Sequence, residues 1–161
     1  SGWAPMPVPP RLKELVPTAE RTAVTWRHTF DNPGADWFKP EFDAGAWKEG
    51  PAGFGTALTP GAETRTEWNT SDIWIRRTFT LRAVPAGSVQ LLIHHDEDAE
   101  VYINGVLAAR LPGYTTEYEN VELGAAARAA LKTGSNTLAA HCRQTGGGQY
   151  IDVGVVEAVE R

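Results

Sequence analysis

The chain has 161 residues, a net charge of -5, 16 glycines, 11 prolines, 6 tryptophans and a single cysteine. That length suits one domain with a core of its own, and the lone Cys142 excludes both an intrachain disulfide and a cysteine-based zinc site. No basic run is longer than Arg76-Arg77 and no apolar run approaches the ~18 residues of a membrane span, so nucleic acid and membrane are not expected partners.

Ser1-Gly2 reads as a tag remnant, and nothing at this end has the pattern of a signal peptide, so the chain reads as a mature or excised domain. Residues 3–17 carry five prolines. Proline cannot donate to a sheet ladder, so residues 1–17 are expected to be an extended linker laid on a domain that occupies residues 18–161. AVTWRHTF (23–30) then alternates with period two, placing Val24, Trp26, His28 and Phe30 on one face of a strand. The segment that follows, with Trp37, Phe42 and Trp47, reads as a long loop whose aromatics anchor it on the core.

Trp68 lies in the polar stretch TRTEWNTSD, which makes it the best candidate for an exposed aromatic. IWIRRTFTL (73–81) puts Ile73, Ile75, Phe79 and Leu81 on one face and Trp74 with Arg76 on the other, an outer surface fit for a ligand or a neighbouring domain. Arg77 falls on the apolar side, where a buried guanidinium calls for a carboxylate partner. VQLLIHH (89–95) and EVYIN (100–104) are further strands, and Asn104-Gly105 is a type I′ hairpin signature because both central residues of that turn need positive φ. LGAAARAALKTG (123–134) is the one predicted helix, ended by Gly134. NTLAAHCRQ (136–144) and YIDVGVVEAVE (150–160) complete an all-β chain, a β-sandwich of the jelly-roll kind with one short helix.

HHDEDAEVYING (94–105) gathers two histidines and four carboxylates, which raises the question of a metal or catalytic centre. His94 and His95 are neighbours on a strand and face opposite ways, which disfavours zinc. Asp96 and Asp98 at a polar corner could supply oxygen ligands to a structural calcium, although the spacing lacks the glycine and distal glutamate of an EF-hand loop. The simpler reading is strand, corner, strand and turn, with no cofactor.

Four stretches in order, DWFKPEFDAGAWKEGPAGFGT (36–56), SDIWIRRTFTL (71–81), LLIHHDEDAEVYINGVLAARLPGY (91–114) and LKTGSNTLAAHCRQ (131–144), resemble the galactose-binding-domain-like jelly roll. They are most similar to the N-terminal sugar-binding domain of family 2 glycoside hydrolases and to accessory domains of secreted bacterial polysaccharide-degrading enzymes. The resemblance implies a β-sandwich whose ligand site, where one exists, lies on rim loops or a concave face. It also implies a secreted or periplasmic setting and a catalytic domain of the parent enzyme as partner. The chain departs from relatives that carry glycine at the corner, having Glu97-Asp98-Ala99 there.

A sugar ring offers apolar C–H faces and hydroxyls, so its site needs an aromatic platform with polar side chains close by. Trp68, Asn69, Trp74 and Arg76 supply one such set. Tyr114, Glu117 and Tyr118 of PGYTTEYEN and Arg143, Gln144 and Gln149 of RQTGGGQY supply the rim. The leading expectation is a non-catalytic, monomeric carbohydrate-binding module for a polysaccharide or oligosaccharide. The alternative is a structural domain that packs on a catalytic neighbour, in which Trp68 is buried and the Trp74-Arg76 face is covered. A hydrolase in its own right finds no nucleophile elbow, and Cys142 reads as a small buried hydrophobe facing away from His141.

Overall fold

The computed structural model describes residues 2–160, so Ser1 of the presumed tag remnant lies outside the described residues. The elements in chain order are β1 (Arg11–Val16), β2 (Val24–Thr29), β3 (Lys48–Ala52), β4 (Phe54–Gly55), β5 (Thr66–Glu67), β6 (Asp72–Leu81), β7 (Ser88–Asp96), β8 (Asp98–Ile103), β9 (Val106–Leu111), β10 (Glu119–Glu122), α1 (Ala125–Ala130), β11 (Gly134–Arg143) and β12 (Tyr150–Val159). They build two sheets. One runs β10-β7-β12-β4-β5 with β1 also paired to β12, and the other runs β3-β2-β6-β11-β8-β9. Every pairing is antiparallel except the short parallel contact of β4 with β5.

The alternation read from the sequence becomes the core. Leu91 and Ile93 of β7 and Ile151, Val153 and Val155 of β12 face Ile73, Ile75, Phe79 and Leu81 of β6 and Leu138, Ala140 and Cys142 of β11 in one buried cluster. Trp26 and Trp68 are enclosed within it; removing an indole of 150–250 Å² from water stabilises by about 4–6 kcal/mol each, as an upper bound. Asn104 and Gly105 have φ of 50° and 81° and join β8 to β9 as the hairpin signature requires. The corner at residues 96–98 carries the chain from one sheet to the other, since β7 belongs to the first and β8 to the second.

Three local expectations are corrected. Residues 11–16, read as linker, form β1 and pair with β12 from Arg11 opposite Val159 to Val16 opposite Val155; the prolines of the segment lie on either side of this stretch, so its backbone donors remain. The helix is six residues long and stops at Leu131, which is buried and extended. Asn136 ends it, donating to the Lys132 carbonyl at 2.8 Å and accepting from the Lys132 N–H at 3.1 Å. Arg77 meets no carboxylate among the described residues. Its guanidinium lies 5.9 Å over the Trp26 ring and its Nε donates to the Thr78 carbonyl at 3.3 Å, so an aromatic face takes the place of the expected ion pair.

Candidate functional site

Antiparallel pairing sets partner residues on the same face of a sheet, and the register of the second sheet produces a row across its outer surface. Arg110 pairs with Glu100, Glu100 with His141 and His141 with Trp74, on β9, β8, β11 and β6. A second row, Asp98, Arg143 and Asp72, lies beside it. Between them opens a groove of about 290 Å³ lined by Asp98, Ala99, Glu100, Arg110, Leu111, Pro112, His141 and Arg143.

His141 ties the rows together. Its Nε2 is 2.7 Å from Asp72 Oδ1 and its Nδ1 is 3.3 Å from Glu100 Oε1, while Glu100 Oε2 meets Arg110 Nη2 at 3.6 Å. The Trp74 ring stacks on the His141 ring at 4.7 Å with planes 3° apart. The Tyr102 hydroxyl donates to Glu100 at 3.3 Å, so the groove floor is a held polar network. Carboxylates that accept and guanidiniums that donate suit the hydroxyls of a polar ligand.

The predicted site residues part company here. Arg143 and Asp98 stand in the groove. Tyr114 is 66% exposed on the loop whose Pro112 walls it, and that loop is held by the Gly113 N–H donating to Asp98 Oδ1 at 2.6 Å. Trp68 is 0% exposed, a core residue and not a platform; its backbone N–H donates to the Gly55 carbonyl at 2.9 Å, which docks β5 on β4 and turns the indole inward. Asn69 stays at the surface, donating to Glu67 at 2.8 Å.

Trp74 and Arg76 do share the outer face, but the chain's own loop at residues 30–47 covers them. Arg76 Nη1 donates to the carbonyls of Trp37 at 2.7 Å and Lys39 at 2.9 Å, and Trp37, Phe38, Phe42 and Trp47 pack around Trp74. Gln144 and Gln149 brace loops instead of meeting solvent ligands, donating to the carbonyls of Gly147 and Thr70 at 2.8 and 2.9 Å. Glu117 and Tyr118 line a different opening, together with Glu20 and Glu63.

The corner aspartates are separately placed. Among the described residues no three His, Cys, Asp or Glu side chains are gathered to hold a metal ion, Asp98 is engaged by Gly113, and Asp96 lies buried beside Gly148. Cys142 is buried in the core, where burial pushes its thiol up. The groove residues Glu100, Arg110 and His141, with Asp72 bound to His141, escaped the sequence reading because only strand register brings them together. The outward alternation of His141 with Arg143 was the one clue to them.

No protein-family model and no curated protein matches the chain. Its fold does match solved structures. A glycosyl hydrolase family 2 member from Bacteroides cellulosilyticus superposes with a TM-score of 0.58 at 14% identity, over 81% of this chain and 20% of that one. A β-glucuronidase from glycoside hydrolase family 2 gives 0.57 at 15% identity over 95% and 18%, and a β-glucuronidase from Ruminococcus gnavus gives 0.59 at 12% identity over 97% and 30%. The chain thus spans about a fifth to three tenths of those chains, as a single β-sandwich domain whose fold matches part of each.

Proposed function

We propose that this chain is a non-catalytic accessory domain of a multidomain glycoside hydrolase that contacts polysaccharide or oligosaccharide through the groove of β8, β9 and β11. The observation that carries the reading is Tyr114, exposed on the loop whose Pro112 walls a groove dense in hydroxyl donors and acceptors. The likeness to one domain's share of family 2 glycosidases supports it. In this reading the domain works as a monomeric unit beside a catalytic domain, in a secreted or periplasmic enzyme. Binding is weak, because one stacked ring and a few exposed hydrogen bonds leave little free energy after ordering costs.

The test is calorimetric titration against a panel of soluble polysaccharides with wild type, Tyr114→Ala and Arg143→Ala. Saturable binding that both substitutions abolish, with melting temperatures unchanged, is the expected result. Trp68→Ala serves as a contrast: it costs about 3–5 kcal/mol of stability through the cavity it leaves, so any lost binding there tracks unfolding. Burial of Trp68, which removes one aromatic platform, favours a second reading, a domain that packs on its catalytic neighbour without binding sugar. No binding across the panel by a folded protein would establish that reading instead.

A further inference from the structure

A second opening, of about 390 Å³, is lined by Glu20, Gly61, Glu63, Thr116, Glu117 and Tyr118. Three of its six residues are glutamates and none is a lysine or arginine. They arrive from three loops distant in sequence, so the concentration of acid is a product of the fold and not of a local charge run.

The wall behind it is polar and incompletely satisfied. The Tyr118 hydroxyl donates to Asp152 Oδ2, which also accepts the Ala19 N–H at 2.7 Å, and the Tyr150 hydroxyl donates to the Glu63 carbonyl at 3.1 Å. Asp152 is fully buried and its Oδ1 has no partner. His94 is also fully buried, packed 4.7 Å from the Tyr150 ring and 5.4 Å from the Tyr118 ring, and neither of its nitrogens is hydrogen-bonded. A Cβ on Gly61 would stand 3.3 Å from His94 Cε1, the ring carbon between the two nitrogens. The unpartnered edge of the imidazole is therefore turned toward a residue that lines the opening. Buried acceptors left without partners are rare in folded proteins and call for an explanation.

We propose that this opening binds an organic cation through a primary ammonium group. An ammonium brings three N–H donors to an opening rimmed by carboxylates and can meet the glutamates one by one. The Tyr118 ring adds a face that attracts a cation. A bare metal ion fits less well, since among the described residues no three carboxylate, imidazole or thiol side chains are gathered closely enough to hold one. The volume suits a molecule of several heavy atoms. Amino sugars and polyamines share this chemistry.

Glu63 and Glu117 are exposed, and their side chains make no hydrogen bond or ion pair among the described residues, so Glu63→Gln with Glu117→Gln removes charge without removing support. Calorimetry at low ionic strength would titrate wild type and this double variant with 1,4-diaminobutane, a glucosamine trimer and an N-acetylglucosamine trimer. The expected result is saturable binding of an ammonium probe that weakens about tenfold in the double variant, equivalent to about 1.4 kcal/mol, and fades with added salt. A glucosamine trimer much tighter than the diamine identifies an amino sugar; comparable affinities identify a polyamine. Binding unchanged in the double variant, an N-acetylated trimer bound as tightly as the free amine, or no saturable binding of either ammonium probe would overturn the proposal. The Tyr114 groove is untouched by these substitutions, so failure here is separable from failure there.

Discussion

Asp96 carries its charge in a poor place. It is buried at the corner between the sheets, beside Gly148, with no side-chain hydrogen-bond partner among the described residues. Burial first, and the neighbouring Glu97 second, push its pKa up to about 6. A carboxyl raised in the folded state binds its proton more tightly there than in the unfolded chain, so the stability it confers is full below its ordinary pKa and is lost as pH rises through about 6. Asp96→Asn is expected to stabilise the protein at pH 8 by on the order of 2–3 kcal/mol and to be neutral at pH 3 to 4, read from denaturant unfolding at both pH values. His94 acts in the other direction. Burial lowers its pKa, so its contribution is present above the ordinary histidine value and is lost as pH falls below about 6.5. Asp96→Asn should therefore remove this residue's share of the decline as pH rises through about 6 and leave the acid-side loss from His94 in place.

Among the elements, β6 organises both of its faces. Inward it supplies Ile73, Ile75, Phe79 and Leu81 to the core, and outward it presents Arg76, which gathers three carbonyls of the loop at residues 30–47, the third being Phe42 at 3.4 Å. Arg76→Met keeps the aliphatic stem and removes these bonds; a loss of about 2–4 kcal/mol is expected, with faster amide exchange confined to residues 30–47. The inward face of β6 was legible in its sequence, because period two and a half-buried strand are the same fact stated twice. The fate of its outward face was not, since a loop's sequence does not say which surface it will lie on. Trp68 misled for a related reason: polar neighbours suggested exposure, while a single backbone bond to Gly55 decided its direction. The contact of His141 with Glu100 and Asp72 depends on the register of three strands, which alternation alone leaves free.

For the whole molecule, a β-sandwich shared with family 2 glycosidases at 12–15% identity carries fold and leaves function to particular sites. With Asp98 held by Gly113 and no metal cage among the described residues, excess chelator or added calcium is expected to leave the melting temperature unchanged; a calcium site at a hundredfold excess over its dissociation constant would instead add about 2.7 kcal/mol. The pairing of β1 with β12 has a mechanical consequence. These strands run antiparallel with Arg11 opposite Val159, so tension applied at Arg11 and Val159 falls on one end of a single ladder. Load there peels β1 away one hydrogen bond after another, a zipper in place of a shear joint. An enzyme anchored to a substrate through such a unit would yield at this seam first, under low force, with β6, β11 and the core between the sheets still closed.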